Sequence, residues 1–192
     1  MSQDYNNTLN LPKTEFSMRG NLTQKEPVML EEWAKDRTYY AMIEKNKDKP
    51  LYVLHDGPPY ANGDIHMGTA LNKVLKDIIV RYKNMNGFCA PYIPGWDTHG
   101  LPIELRAMKE LGVENGAIPP VEHCHKYALN QLENQKNQFI RLGVWGDFDD
   151  PYLTLKPEFE ARQVEIFGDM YGKGYMYKGL KPVYWCPDCQ TA

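Results

Sequence analysis

The chain has 192 residues, of which 42% are hydrophobic and 24% are charged, as in ordinary globular proteins. A formal net charge of −3 gives no overall basic signature, so any contact with nucleic acid must be local or supplied by regions outside this sequence. No stretch approaches the roughly 20 apolar residues of a membrane span. The first residues lack the basic start and apolar run of a secretory signal. These features exclude a membrane-spanning or secreted protein and predict a cytoplasmic one.

The first segment, residues 1–48, is polar and irregular. Within it only residues 28–46 have a helical pattern. We expect this segment to be an N-terminal extension that packs onto a core and does not form a second domain. The side chains expected to anchor it are Leu30, Trp33, Tyr40 and Ile43.

A βαβ unit is predicted over residues 51–95. The short apolar run at 51–55 is typical of a buried parallel strand. Residues 69–83 predict a helix, because apolar residues recur at helical spacing along one stripe. The members of this stripe are Leu71, Val74, Leu75, Ile78, Ile79 and Tyr82. A second strand is predicted within residues 88–95.

Two more helices and a third strand are predicted in the rest of the chain. One helix covers residues 121–142, with an inner face of Ala128, Leu132, Phe139 and Leu142. The other begins near Thr154, a candidate N-cap, and Pro157 lies in its first turn. Residues 175–185 predict the strand.

The turn between the first strand and the helix, YANGDIHMGT at residues 60–69, has the composition of a phosphate-binding site. It has neither the GxGxxG pattern of dinucleotide-binding folds nor the GxxxxGK[ST] pattern of P-loop proteins. A βαβ turn nevertheless presents backbone N–H groups and the positive end of a helix dipole, which favour phosphate. His66 has a donor for a phosphate, and Gly68 has no Cβ to keep a flat purine from the backbone. The motif alone leaves a second interpretation open, in which Thr69 is an N-cap and His66 is a surface turn residue.

The residues around this turn favour the nucleotide site. The run HDGPPYANGDIHMGTALNKVLKDIIVRYK (55–83) resembles the signature of class I aminoacyl-tRNA synthetases, with their HIGH motif at 66–69. PGWDTHGLPIE (94–104) resembles the isoleucyl-tRNA synthetase family within that class. The resemblance continues from LPKTEFSMRGNL (11–22) to KGLKPVYWCPDC (178–189), and therefore covers nearly the whole chain.

The resemblance implies an α/β fold. Residues 49–180 would be the first half of a Rossmann-type parallel-sheet catalytic domain, preceded by the helical extension of residues 1–48. Residues 181–192 would begin the editing insertion. The implied activity is that of an isoleucine–tRNA ligase, which uses ATP with Mg²⁺ to form isoleucyl-adenylate and then transfers isoleucine to tRNA(Ile).

The resemblance also implies roles for individual residues. The catalytic residues would be His66 and Thr69. The ATP-binding residues would be Tyr60, Asn62, His66, Gly68 and Thr69, and the isoleucine-binding residues would be Gly57, Pro58 and Asp97. The carboxylate of Asp97 would hold the α-ammonium group by a charge-assisted hydrogen bond. Thr69 departs from the motif, which often has a second histidine there; it keeps a hydroxyl donor but lacks a ring that can be cationic.

The pair Cys186 and Cys189 has the CxxC spacing of half a tetrahedral zinc site. In the resembled family, the partner cysteines come from beyond the editing insertion, so zinc is expected in the full-length protein. His123, Cys124 and His125 are a poor second half, because adjacent positions on a helix do not share a face.

The chain contains no KMSKS-like loop, which is the second phosphate clamp of the resembled family. We therefore expect an isolated piece, truncated at the start of the editing insertion, to be inactive. The full-length enzyme would be a monomer that contacts tRNA mainly through other regions. Two alternatives stay open: a non-catalytic fragment that keeps the fold, and a small nucleotidyltransferase with an HxGH-type turn.

Overall fold

The computed structural model describes residues 5, 8–10, 14–15, 17–112 and 119–188. Within these residues the chain forms six α-helices and one two-stranded sheet. The helices are α1 (Leu22–Lys35), α2 (Thr38–Asn46), α3 (Met67–Met85), α4 (Leu101–Leu111), α5 (Val121–Arg141) and α6 (Pro157–Gly172). The strands are β1 (Gly95–Trp96) and β2 (Tyr152–Leu153).

The sheet is parallel, but it pairs β1 with residues 152–153, where the sequence predicts no strand. The pairing that the βαβ pattern predicts is the parallel bridge between Leu51 and Cys89. In β1 and β2, Gly95 is opposite Tyr152 and Trp96 is opposite Leu153. Two isolated parallel bridges, Leu51 to Cys89 and Tyr60 to Asp97, add the segment 51–61 on the other side of β1. Three segments therefore run in the same direction and end at one edge, where open α/β sheets bind their ligands.

The hydrophobic core lies between these segments and the helices. Its centre is Trp96, which is fully buried together with Tyr92 and Phe139. Helices α4 and α5 pack against each other and supply the buried residues Ile103, Ala107, Ala128 and Leu132. The predicted inner face of α5 is confirmed except for Leu142, which follows the helix and is exposed.

The extension contains two helices, whereas the sequence pattern predicts one over residues 28–46. The break lies at Arg37, which has a left-handed backbone with a φ of 48°. The extension is held to the core by Arg81 of α3, whose guanidinium lies 3.7 Å from the ring centre of Trp145 and 5.3 Å from that of Trp33. The two indole rings pack edge to face at 5.3 Å.

Helix α3 confirms the predicted helix at 69–83, but a different face of it is buried. The apolar stripe is between 38% and 61% exposed at each of its six residues. The buried positions are Lys73, Val80 and Asn84. These residues share one face because they are seven and four positions apart. The two polar side chains on this face have hydrogen-bond partners. Lys73 donates to Asp56, and Asn84 donates to the backbone carbonyl of Ala90.

Three other predictions of local structure were wrong. Residues 51–55 are a half-covered segment, because Leu51 and Val53 are each 67% exposed while Leu54 packs on the core. Residues 175–185 form no strand. Thr154 is not an N-cap, because its hydroxyl accepts a hydrogen bond from the backbone N–H of Thr98, and α6 begins only at Pro157.

None of the helices in the described ranges is long and apolar enough to cross a membrane.

We predict that Gly95→Ala destabilises the chain, because a Cβ there would lie 2.0 Å from Cζ of Tyr152. Overpacking of this kind costs about 1–3 kcal/mol in the free energy of unfolding. Urea denaturation followed by circular dichroism measures the change. The control is Gly168→Ala within α6, where a Cβ meets no atom within 4 Å. This control should stabilise the chain by up to about 1 kcal/mol. Equal effects of the two substitutions would contradict the prediction.

Candidate active site

His66 is the N-cap of α3. Its Nδ1 accepts hydrogen bonds from the backbone N–H groups of Gly68, at 3.1 Å, and Thr69, at 3.3 Å. A ring nitrogen that accepts has no proton, so the neutral imidazole carries its proton on Nε2. The side chain is exposed. His66 therefore caps the helix with one nitrogen and can donate a hydrogen bond to a ligand with the other.

This cap changes the expected use of two backbone N–H groups. The amides of Gly68 and Thr69 do not point freely toward a phosphate, because His66 accepts both hydrogen bonds. The interpretation of Thr69 as the N-cap was also wrong, since Thr69 is the third residue of α3. A Cβ at position 68 would lie 3.0 Å from the His66 ring. Gly68 thus suits the close packing of the cap.

Helix α5 holds the turn at residues 60–66 through its amide side chains. Gln135 is buried, and its Nε2 donates to the carbonyl oxygens of Tyr60, at 2.9 Å, and Gly63, at 2.7 Å. Its Oε1 accepts from Nε1 of Trp96 at 3.0 Å. Gln138 accepts from the backbone N–H of Ile65 at 2.9 Å. The turn is therefore fixed to the core by side chains about 70 residues away in sequence.

A polar cleft of about 650 Å³ opens beside this turn. Its lining includes five of the residues predicted from the sequence: Pro58, Tyr60, Asn62, His66 and Thr69. Arg106 of α4 also lines the cleft. Sequence reasoning missed this cation, because α4 was not predicted and residues 106 and 66 are joined only by the fold. An arginine and a histidine donor in one cleft suit a phosphate group.

Asp97 lies beside this cleft at the end of β1. Two backbone hydrogen bonds form the bridge to Tyr60. The N–H of Asp97 donates to the carbonyl oxygen of Pro59 at 2.9 Å, and the N–H of Ala61 donates to the carbonyl oxygen of Asp97 at 3.0 Å. The Asp97 side chain is half-buried, and its Oδ1 is 3.5 Å from the hydroxyl of Thr154. In the described part of the chain no lysine, arginine or histidine forms an ion pair with it.

Three predicted residues are absent from the lining of the cleft: Gly57, Gly68 and Asp97. Gly57 is exposed and adjoins Pro58. It lies near Lys76, whose Nζ would be 4.0 Å from a Cβ at position 57. The predicted ATP-binding and isoleucine-binding residues thus occupy neighbouring parts of one edge, in the cleft and at the ends of the segments beside it.

The zinc prediction has no support among the described residues. They contain no group of three or more histidine, cysteine, aspartate or glutamate side chains that could hold a metal ion. Cys186 is exposed, and Cys189 lies outside the described residues. His123 lies 3.3 Å from Glu110 and is part of no such group. The residues that the structure describes therefore do not fit a closed tetrahedral site.

Comparison with known proteins gives a family match over most of the chain. The family described as tRNA synthetases class I (I, L, M and V) matches residues 28–192. The isoleucine–tRNA ligase of a Thermoanaerobacter species is 62% identical over 98% of this chain. Those of Carboxydothermus hydrogenoformans and Geobacillus thermodenitrificans are 60% and 59% identical over the same share. The chain spans about a fifth (21%) of the length of each of these relatives.

A solved structure with the same fold is the leucyl enzyme of Agrobacterium radiobacter in a ternary complex with tRNA and LeuAMS. It matches 90% of this chain and 20% of its own chain, with a TM-score of 0.69 at 21% identity. Its similarity, together with the parallel β1–β2 pair, confirms the predicted α/β fold as a Rossmann-type half-domain.

We predict that Gln135→Leu loosens the turn at residues 60–66. The change removes the partner of the buried indole N–H of Trp96 and of the partly exposed carbonyls of Tyr60 and Gly63. The unpaired buried indole N–H alone costs about 1–3 kcal/mol. Urea denaturation should show the loss, and hydrogen exchange should be faster at residues 60–66. Asn137→Leu, on the exposed side of α5, is the control and should change stability by less than about 0.5 kcal/mol. An unchanged rate of hydrogen exchange at residues 60–66 would contradict this role of Gln135.

Proposed function

Because the chain belongs to the class I tRNA synthetases of the isoleucine, leucine, methionine and valine group, we propose that its protein is an isoleucine–tRNA ligase. The observation that carries the proposal is the parallel bridge between Tyr60 and Asp97, which brings a carboxylate next to the His66 cleft. A half-buried carboxylate suits the ammonium group of an amino acid, and the cleft suits the phosphates of ATP. This juxtaposition is what amino-acid activation needs.

The phosphates of ATP, which brings Mg²⁺ with it, would bind in the cleft. The Nε2–H of His66 donates to a phosphate oxygen, and the positive end of the α3 dipole lies behind the ring. Arg106, on α4, supplies a full positive charge to the same cleft. Tyr60, Asn62 and Thr69 complete the polar lining, and Gly68 allows the compact cap. These groups would stabilise the charge that develops on the α-phosphate during attack.

Isoleucine would bind at the adjacent strand ends. Its ammonium group pairs with Asp97, and its side chain lies against Gly57 and Pro58. Its carboxylate then points toward the cleft and attacks the α-phosphorus, so that pyrophosphate leaves and isoleucyl-adenylate forms. No nucleophile from the protein is required, because catalysis depends on the positions of the two substrates and on the stabilisation of phosphate charge.

Transfer to tRNA(Ile) is proposed for the full-length protein. The curated relatives carry about four-fifths of their length outside the region that matches this chain. We therefore assign tRNA contacts, editing and any zinc at Cys186 and Cys189 to the full-length protein, acting as a cytoplasmic monomer. A small stand-alone nucleotidyltransferase is not favoured, because the family match covers residues 28–192.

We expect the full-length gene product to catalyse ATP–pyrophosphate exchange that depends on isoleucine. Asp97→Asn keeps the shape of the side chain but removes its charge. The KM for isoleucine should therefore rise by roughly 30-fold or more, which corresponds to a loss of about 2 kcal/mol in binding free energy. Asp147→Asn, which lies by α2, is the control and should leave this KM unchanged. Exchange with leucine or methionine but not isoleucine would refute the substrate. A normal KM in Asp97→Asn would refute the ammonium site.

The two roles of His66 can be separated by substitution. Asn is a good N-cap, so His66→Asn should keep the stability of α3 while it loses the donor to phosphate. We expect kcat for exchange to fall on the order of 100-fold to 1000-fold, as when one donor to a developing charge is removed. His66→Ala should lose the cap as well, at about 1 kcal/mol in the free energy of unfolding. If kcat in His66→Asn stayed near normal, His66 would be a cap only.

A further inference from the structure

A buried carboxylate outside the proposed substrate contacts connects the elements of the site. The side chain of Asp56 is fully buried, and it directly precedes Gly57. Its Oδ2 pairs with the buried ammonium of Lys73, and its Oδ1 accepts from Lys76 at 2.7 Å. Both lysines belong to α3. Two cations from one helix thus converge on one anion at the end of the segment 51–61.

The same residue also binds the other two parallel segments. The Oδ2 of Asp56 accepts from the backbone N–H of Gly95, at the start of β1, at 3.0 Å. Its backbone carbonyl accepts from the hydroxyl of Tyr152, in β2, at 2.5 Å. Gly95 lies two residues before Asp97, and Asp56 lies four residues before Tyr60. The hydrogen bonds of Asp56 therefore set the spacing of the two segments that the Tyr60–Asp97 bridge joins.

The charge state of Asp56 supports this arrangement. Burial alone would raise the pKa of the carboxyl group, but the charge of Lys73 and the hydrogen bonds from Lys73, Lys76 and Gly95 hold the pKa below its usual value. Asp56 is accordingly ionised at neutral pH. Ion pairs with Lys73 and Lys76 would be enough to fix α3 to the sheet, and Asp56 makes contacts to β1 and β2 in addition.

We propose that Asp56 is a positioning residue for the amino-acid part of the site, acting through Gly95 and its own carbonyl to hold Asp97 opposite Gly57 and Pro58. The inference rests on the proposed function for the identity of the amino acid. The nucleotide turn has its own support from Gln135 and Gln138, so ATP binding depends less on Asp56. The structure thus separates the supports of the two substrates.

The test is steady-state ATP–pyrophosphate exchange in the full-length gene product carrying Asp56→Asn. This substitution keeps an acceptor for Gly95 but removes the anion. We expect the KM for isoleucine to rise on the order of 10-fold to 100-fold, because small displacements of a binding group have effects of this size. The KM for ATP should change by less than about threefold, because the turn keeps its own hydrogen bonds.

The matched control is Asp77→Asn on α3. Asp77 is also mostly buried, pairs with Arg81 at 2.7 Å and accepts from the backbone N–H of Trp145 at 2.9 Å, but it touches none of the segments of the site. This variant should lower the thermal midpoint while both KM values stay within about twofold of the wild type. A merely structural role for Asp56 predicts the same behaviour in Asp56→Asn, and that result would overturn the proposal.

A milder variant covers the case in which Asp56→Asn does not fold. Lys76 is partly exposed, at 14% of its side chain, so Lys76→Gln removes one cation and leaves Lys73 in place. We expect a smaller rise in the KM for isoleucine than in Asp56→Asn, again without a matching rise for ATP. An unchanged KM for isoleucine in Lys76→Gln, with Asp56→Asn either unfolded or normal, would refute the inference. Wild-type exchange with a different amino acid would refute the proposed function alone, and the comparison would then use that amino acid.

Discussion

The structure depends on one buried charge. Asp56 carries a negative charge on a side chain that is buried from solvent, and such a charge is tolerated only when cations and hydrogen-bond donors surround it. Lys73 and Lys76 supply the cations and Gly95 supplies a backbone donor. Since these groups come from α3 and β1, the helix and the strand must meet at this residue. The ends of the parallel segments, and with them the proposed amino-acid side of the edge, are fixed at the same place.

The two halves of the edge are built differently. The amino-acid side consists of strand ends held by backbone bridges and by the Asp56 carboxylate. The nucleotide side is a turn held by neutral amides of α5, chiefly Gln135. Neutral amides add no charge of their own, so the charged and dipolar groups at the cleft are Arg106, the N-terminus of α3 and the carboxylate of Asp64, which accepts from Asn134 and Gln138.

The sequence predicts helices and local motifs better than it predicts burial. The turn at 60–69 and helices α3 and α5 follow from spacing and composition over short stretches. The buried face of α3 does not, because Lys73 is paired with Asp56, 17 residues away, and a hydrophobic pattern assigns lysine to the surface. His66 as the cap, Arg106 in the cleft and Gln135 beneath the turn were also missed. The roles of Arg106 and Gln135 come from partners distant in sequence, whereas His66 caps its own helix with a side chain outside the usual set of Ser, Thr, Asp and Asn.

The contact between the extension and the core contains an optical probe. Trp33 and Trp145 pack edge to face, with the cation of Arg81 against both rings. Trp96, in contrast, is fully buried in the core and reports on a different part of the molecule. Detachment of α1 from α3 would separate the first two rings and expose them to water, so their fluorescence would shift without any change in the core. The fold therefore allows the docking of its first helices to be followed by spectroscopy, independently of catalytic turnover.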